Sequence, residues 1–263
     1  MLKSIDFSTF SSIRIGPRVD VFVLETPQPL PKNHQLIGGA NNLLLGPTPP
    51  PLAILSKAFD FIHVDNTLLH VGAATPSGKL FSFAKKHNLG GLEFMQQLPG
   101  TLGGMLAMNA GLKGWEIFGP LLAVRTHAGW VEKSDITHGY RYAKLPDVVF
   151  EARFTCKEGF DAALAEQFRQ MRQNQPKDSS LGSCFKNPEG ESAGRLLEEA
   201  GFRGKQYGGM AFSAQHANFL VNLGGGTYEE AVALIQEAKE AVATKTGIWL
   251  ELEIKILNIP APF

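Results

Sequence analysis

Cysteine is nearly absent from this 263-residue chain: Cys156 and Cys184 are the only two. They cannot build a disulfide framework or a four-thiolate metal site, and such scarcity suits a reducing compartment. An excess of charge of either sign is missing too. Twenty-five Lys and Arg balance 25 Asp and Glu, which removes the electrostatic footprint of a duplex nucleic-acid binder or a polybasic membrane protein. No run approaches the roughly 18 apolar residues of a membrane span. The opening Met1-Leu2-Lys3-Ser4-Ile5-Asp6 lacks the apolar stretch of a signal peptide. The expectation is a cytoplasmic protein with no nucleic-acid, membrane or obligatory protein partner. His34, His63, His70, His87, His127, His138 and His216 show no H-E-x-x-H or similar spacing, so the sequence offers no metal-ligand set. There is also no G-x-G-x-x-G in a βαβ setting and no G-x-x-x-x-G-K-[ST], which removes support for Rossmann and P-loop phosphate sites.

What is present suits a globular protein of one or two domains. Hydrophobic residues make up 44% and charged residues 19%, enough apolar material for a core. Strand patterns fall at Gln35-Leu36-Ile37, at Leu52 to Leu55 after the Pro49-Pro50-Pro51 break, and across a hairpin from Phe61 to Val71 turning at Asp65-Asn66. A helix is expected over Lys79 to Lys86 with Ser77 as its N-cap. Strands return at Leu121 to Thr126, at Trp130-Val131 beyond an Ala128-Gly129 turn, and where Val148, Phe150, Ala152 and Phe154 alternate. Helical spacing marks Asp161 to Asn174, a run capped by Ser192 and closed by Gly201, and a third run behind the Thr227/Glu230 capping box that stops at Gly247. Ile248 to Leu257 reads as one closing strand, with Glu251, Glu253 and Lys255 on its polar face.

The 28 glycines cluster. One group is Gly38-Gly39-Ala40-Asn41-Asn42-Leu43-Leu44, where small residues after a strand leave consecutive N–H groups open to an anion. The other is Leu98-Pro99-Gly100-Thr101-Leu102-Gly103-Gly104-Met105, running on to Asn109-Ala110-Gly111, a glycine turn entering a helix N-terminus. Each alone is an ordinary glycine turn. Together they suit the pyrophosphate of a flavin dinucleotide.

With these loops the sequence resembles the UDP-N-acetylenolpyruvoylglucosamine reductases, bacterial flavoenzymes of cell-wall precursor synthesis, along nearly its whole length. Thr9 to Gly16 is similar to the family's T-F-x-x-x-x-I-G opening, and the two glycine groups to its flavin loops. Tyr140-Arg141, Gly182-Ser183-Cys184-Phe185-Lys186-Asn187-Pro188, Ser213, His216-Ala217-Asn218-Phe219 and Leu250 to Ile254 follow in the family's order. Asn41 stands where the family usually has serine, Tyr142-Ala143 follows Arg141 in place of the expected x-S, and Leu112-Lys113-Gly114 replaces the common Ala-Tyr-Gly. The short stretch from Arg141 to Ser183 is similar to the family's shorter class, which lacks an inserted tyrosine loop.

The resemblance implies an α+β (mixed α/β) fold. Residues 1–157 would form an FAD-binding region of two α+β lobes, about 1–56 and 57–157, of the PCMH or vanillyl-alcohol-oxidase-like type. Residues 158–263 would form a smaller α+β domain for the UDP-sugar. It implies non-covalent FAD, held by Gly38, Gly39, Ala40, Asn41, Asn42, Leu43, Pro99, Gly100, Thr101, Gly103, Gly104, Asn109, Ala110 and Gly111, with NADPH as reductant and the enolpyruvyl group of a UDP-sugar as substrate. Arg141 would neutralise charge developing on the substrate carboxylate, Ser183 would donate a proton, and Glu253, able to carry a proton in a partly buried site, would assist Arg141. Tyr140, Lys186 and Asn187 would bind the UDP-sugar, the lysine through phosphate. Periodicity alone leaves Glu251 and Glu253 equivalent. It also makes Cys184 a packed thiol, pointing away from Ser183 if the segment is extended. Two other readings stand beside this one: a flavin oxidase or dehydrogenase of an alcohol or hydroxy acid with the same cofactor fold, and a flavin-free UDP-sugar-binding protein.

Overall fold

The computed structural model describes residues 1–155 and 157–259; Cys156 lies outside them. The chain divides into two compact units: residues 1–3, 21–39 and 51–173 form the first, and residues 4–20, 40–50 and 174–263 the second. Among the described residues no helix is long and apolar enough to cross a membrane.

The first unit is organised by a five-stranded antiparallel sheet. Its strands run Gly129–Glu132, Leu121–Thr126, Glu151–Thr155, Leu68–Gly72 and Ile62–Asp65 across the sheet. The Asp65-Asn66 hairpin forms with Asp65 opposite Leu68, aided by a left-handed Asn66 at φ +54°. Alternation then divides the residues between two faces. Leu69, Val71, Val124, Ala152 and Phe154 turn inward onto Leu80, Phe94, Leu102, Phe118 and Phe168, and burying such side chains supplies most of the unit's stability. A smaller parallel set pairs Phe22 to Leu24 with Ala53 to Leu55, and Gln35 and Leu36 with Leu52 and Ala53.

The helix Ser77–Lys86 begins two residues before the expected Lys79, and Ser77 does not cap it. Pro76 takes the N-cap position, and the Ser77 hydroxyl instead donates to the Leu98 carbonyl while its N–H donates to Gly100 O at 2.9 Å. A proline with φ preset for the helix start leaves the serine free to fasten the second glycine loop. The helix Ala162–Met171 is capped by Asp161, which accepts from Leu164 N at 2.9 Å.

In the second unit a four-stranded antiparallel sheet, ordered Ser179–Ser183, Phe219–Asn222, Met210–Phe212 and Gln206–Tyr207, accompanies the helices Ala193–Glu199 and Tyr228–Thr246. Their shared core holds Leu181, Phe185, Leu197, Phe212, Leu234 and Val242, and it also takes Ile13, Ile15 and Leu44 from distant parts of the sequence. Ser192 caps the shorter helix. Thr227 and Glu230 form the full capping box of the longer one, closed by left-handed Gly247.

The expected closing strand over 248–257 is not continuous. Only Lys255–Leu257 is a strand, parallel to Leu43–Leu45, while Leu252 makes an isolated bridge to Phe185. The segment changes partners midway: the Glu251 carbonyl and the Glu253 N–H bond the 184–186 backbone, and Lys255 N–H turns to Asn42 O at 2.9 Å. A period-2 pattern records which side chains are apolar, not which strand each peptide group pairs with.

Replacing Thr227 by Ala removes the acceptor for Glu230 N–H, at 3.2 Å, and should cost about 1 kcal/mol of stability. Urea unfolding should show a lower midpoint at unchanged slope.

Candidate functional site

In the first unit Gly38, at the start of the first glycine group, meets the second group. A Cβ on Gly38 would stand 2.8 Å from Thr101 Oγ1 and 3.7 Å from Gly104 Cα, whereas one on Gly104 would meet only Thr101 Oγ1, at 3.6 Å. Gly38 is therefore required by close packing, and Gly104 leaves room for something else. The helix Leu102–Ala107 follows, with Thr101 as an N-cap whose side chain does not cap.

The expectation of free donors at this helix start needs correcting. Leu102 N–H is taken by Thr75 O at 2.9 Å and Gly103 N–H by Ala73 O at 2.8 Å. These bonds seat the loop on the end of the strand Leu68–Gly72, because buried N–H groups must find partners.

Asn109 is buried, and its side chain is spent inside the protein. Its amide donates to Glu116 Oε2 at 2.7 Å and to Gly139 O at 3.1 Å, and its oxygen accepts from Phe118 N at 3.3 Å. Any contact with a cofactor falls to its backbone. Gly111 has a structural reason as well: a Cβ there would lie 2.0 Å from Trp115 O, across the small hairpin of Gly111–Leu112 and Trp115–Glu116.

The bond from Asn109 to Gly139 anchors a second hairpin, His138–Gly139 with Tyr142–Ala143, whose two loop residues are Tyr140 and Arg141. Arg141 has φ +61°, in the left-handed region. Its guanidinium lies 5.1 Å from the exposed Tyr140 ring centroid. Nearby is Arg172, which the sequence reading missed. It is 9% exposed, and one of its N–H groups reaches Phe94 O at 3.4 Å. Burial, then the neighbouring Arg141 charge, lowers its pKa to about 10. The Arg141 charge is thus felt at a second, buried guanidinium on the same unit. No linear spacing between positions 141 and 172 announces the pair.

The second unit gathers Ser183, Lys186 and Glu253. Ser183 ends the strand Ser179–Ser183 opposite Phe219, after an irregularity that includes Gly182 at φ +80°. Cys184 O accepts Glu253 N–H at 2.9 Å, and Lys186 N–H donates to Glu251 O at 2.9 Å. Asn218, nearly buried, braces the same segment: its carbonyl accepts from Cys184 N at 2.7 Å, and its carboxamide exchanges bonds with Phe185 N and O at 3.0 and 2.8 Å. Its own N–H donates to His216 Nδ1 at 3.2 Å. Burial, ahead of its other contacts, lowers the His216 pKa.

Here the two glutamates separate. The Glu251 side chain is 76% exposed and pairs with Lys186 at 3.3 Å, a surface contact of small energy. Glu253 is half-buried, and its charge is felt at the Cys184 thiol. Asn42 of the first glycine group donates to Glu253 O at 2.9 Å, so part of a loop expected to hold cofactor holds this glutamate's backbone. Left-handed Ala40 in that loop accepts from Ser12 N at 3.3 Å. The Asn187 oxygen is occupied by Ala193 N–H at 3.0 Å, at the start of the helix Ala193–Glu199. Arg141 belongs to the first unit, and Ser183 and Glu253 to the second.

The family described as UDP-N-acetylenolpyruvoylglucosamine reductase, C-terminal domain, matches residues 174–257. The chain is 45% identical to the UDP-N-acetylenolpyruvoylglucosamine reductase of Helicobacter hepaticus over 258 residues, covering 97% of this chain and 98% of that protein. It is 42% identical to that of Campylobacter jejuni over 258 residues, 96% and 99% of the two chains. The crystal structure of UDP-N-acetylenolpyruvylglucosamine reductase from Thermus caldophilus superposes with a TM-score of 0.86 at 28% identity, covering 98% of this chain and 99% of that one. The expected α+β fold is the one shared with that structure.

Cys184 is fully buried, and burial, reinforced by Glu253, pushes its thiol pKa up. Unfolding lets that thiol ionise once pH passes 9.0, so the stability it contributes is present below that pH and declines above it. In a Cys156→Ser background, a thiol reagent should label the native protein only after denaturant is added. Labelling at the rate of a free thiol would contradict the burial.

Proposed function

The chain belongs to the UDP-N-acetylenolpyruvoylglucosamine reductase family, and from that premise we propose how its residues divide the work. The protein is an FAD-dependent oxidoreductase that uses NADPH to reduce the enolpyruvyl group of UDP-N-acetylglucosamine enolpyruvate to UDP-N-acetylmuramate, a step of peptidoglycan precursor synthesis. We place the reaction in the cytoplasm. We assign FAD binding to residues 1–157 and UDP-sugar binding to residues 158–263, a division by ligand and not by packing.

FAD fits the first unit in one specific respect. The open space over Gly104, where a Cβ would meet only Thr101 Oγ1 at 3.6 Å, makes a cradle that a side chain at that position would fill. Gly38, Gly39, Pro99, Gly100, Thr101, Gly103, Gly104 and Ala110, with the backbone of Asn109 and Gly111, would hold it, together with Ala40, Asn41, Asn42 and Leu43. Bound FAD supplies transfer of a hydride from NADPH to C3 of the enolpyruvyl group.

What remains is proton and charge management by the protein. As C3 gains hydride, negative charge develops at C2 and spreads into the adjoining carboxylate. Arg141, with Arg172 adding positive field behind it, neutralises that carboxylate. The Ser183 hydroxyl donates its proton to C2, and Glu253 helps Arg141 hold the charge. Lys186 leaves its weak surface pairing with Glu251 for a substrate phosphate, and Tyr140 and Asn187 contribute to the same binding. The observation that carries this reading is the bond from Glu253 N–H to the Cys184 carbonyl, which ties the glutamate to the residue after Ser183.

The deciding experiment is NADPH oxidation by the pure protein with and without the enolpyruvyl UDP-sugar; oxidation should accelerate only with it. Ser183→Ala should leave flavin reduction by NADPH nearly intact and slow substrate reduction at least about 10²-fold. Equal turnover would remove Ser183 from its role. Glu253→Gln should be far more damaging than Glu251→Gln, and the reverse order in kcat would show that the exposed carboxylate is the functional one.

A further inference from the structure

The outward face of the first unit's five-stranded sheet carries a second constellation. His63 and His70 lie directly opposite each other across the hairpin, their rings stacked with centroids 4.8 Å apart and planes 9° from parallel. On the next strand Arg153 faces His70, and Glu151, two residues before it, shares that face. Glu151 Oε1 stands 2.7 Å from His70 Nδ1, and one donor atom from each of the three residues lies within 4.8 Å of the others. We propose that His63, His70 and Glu151 form a binding site for a borderline divalent transition-metal cation, best represented by Zn2+, separate from the reductase chemistry.

Two imidazoles and one carboxylate are a donor set that Zn2+ takes readily, with water completing the shell. Zinc bonds of about 2.0–2.2 Å require the donors to draw closer together. His63 is exposed and His70 only partly buried, so side-chain rotation supplies that movement without shifting the paired backbones. The cation would take the place of the direct contact between His70 Nδ1 and Glu151 Oε1.

The surrounding charges permit this. Glu151 is 7% exposed, and its other oxygen meets Arg125 at 3.2 Å. Arg153 is turned away, over the Trp130 ring at 4.6 Å and onto Glu132 at 3.0 Å. Arg125 is thus the one arginine or lysine paired with Glu151 among the described residues, and it competes with the metal. The site also has a mechanical connection: the strand Leu68–Gly72 leads into Ala73 and Thr75, the carbonyls that seat Gly103 and Leu102. A cation stapling three strands would stiffen the mount of the second glycine loop.

The test is calorimetric titration of the FAD-loaded protein with ZnCl2, paired with thermal unfolding. One Zn2+ per chain should bind and raise the Tm, and EDTA should reverse the gain. His63→Ala and His70→Ala should each weaken binding at least about tenfold, whereas Arg125→Gln should tighten it. Because His63 is exposed, His63→Ala should keep wild-type FAD content and Tm in EDTA, which separates loss of the site from loss of the fold. Absence of saturable binding, affinity unchanged in both histidine variants, or binding lost in Cys156→Ser and kept in His63→Ala would each overturn the proposal.

Discussion

The Cys184 carbonyl is the point on which the second unit's chemistry depends. It accepts Glu253 N–H at 2.9 Å, while the peptide groups on either side of it are taken up by Asn218. These atoms are buried or nearly so, and a buried amide that loses its partner costs far more than the bond contributes net. The segment from Ser183 to Lys186 therefore has no cheap alternative conformation. A hydroxyl is a poor acid at neutral pH, so a serine that donates a proton depends on being held in place beforehand. The backbone lattice provides that restraint, and Ser183 itself need spend no bond on it.

Glycine serves two purposes, and separating them changes how the loops are read. Gly111 and Gly72 are small because another backbone passes against them: a Cβ would come within 2.0 Å of Trp115 O in one case and of Phe59 O in the other. Gly104 has open space. Only the second kind says anything about a ligand, since a crowded glycine is already explained by its neighbours. The same logic demotes the side chain of Asn109, which looks like a ligand contact in sequence and works as a buried clasp between two hairpins.

Much of the architecture was legible because it rests on local rules. The Asp65-Asn66 hairpin, the strand Leu121–Thr126, the Ser192 cap and the Thr227/Glu230 box each follow from a few adjacent residues. What escaped depends on partners far away in sequence. Ile13, Ile15 and Leu44 join the second unit's core, and nothing local to them reveals it. The run 248–257 breaks because its peptide groups serve two different partners. Ser77 lost its capping role to a neighbouring proline and its hydroxyl to Leu98. The His63 and His70 pairing was recoverable: once Asp65 faces Leu68, counting outward puts the two rings opposite each other. A search for ligands at helical or loop spacing passes over it.

Backbone strain points the same way as the hydrogen bonds. Among non-glycine residues with positive φ, Asn33, Asn66, Asn88 and Asn109 have a residue type that tolerates the left-handed region. Arg14, Ala40, Gln97, Lys113 and Arg141 do not have that excuse. A side chain of that kind in the left-handed region costs about 1–3 kcal/mol and persists only where its surroundings over-determine it. At Arg141 they do: the hairpin fixes both flanking residues in register, and Asn109 pins the Gly139 carbonyl. A glycine would relieve the strain and abolish the guanidinium. The buried Arg172 beside it adds to the cost, since like charges in a poorly solvated place repel. An anion arriving beside Arg141 meets the field of both guanidiniums, which favours the bound state over the free one.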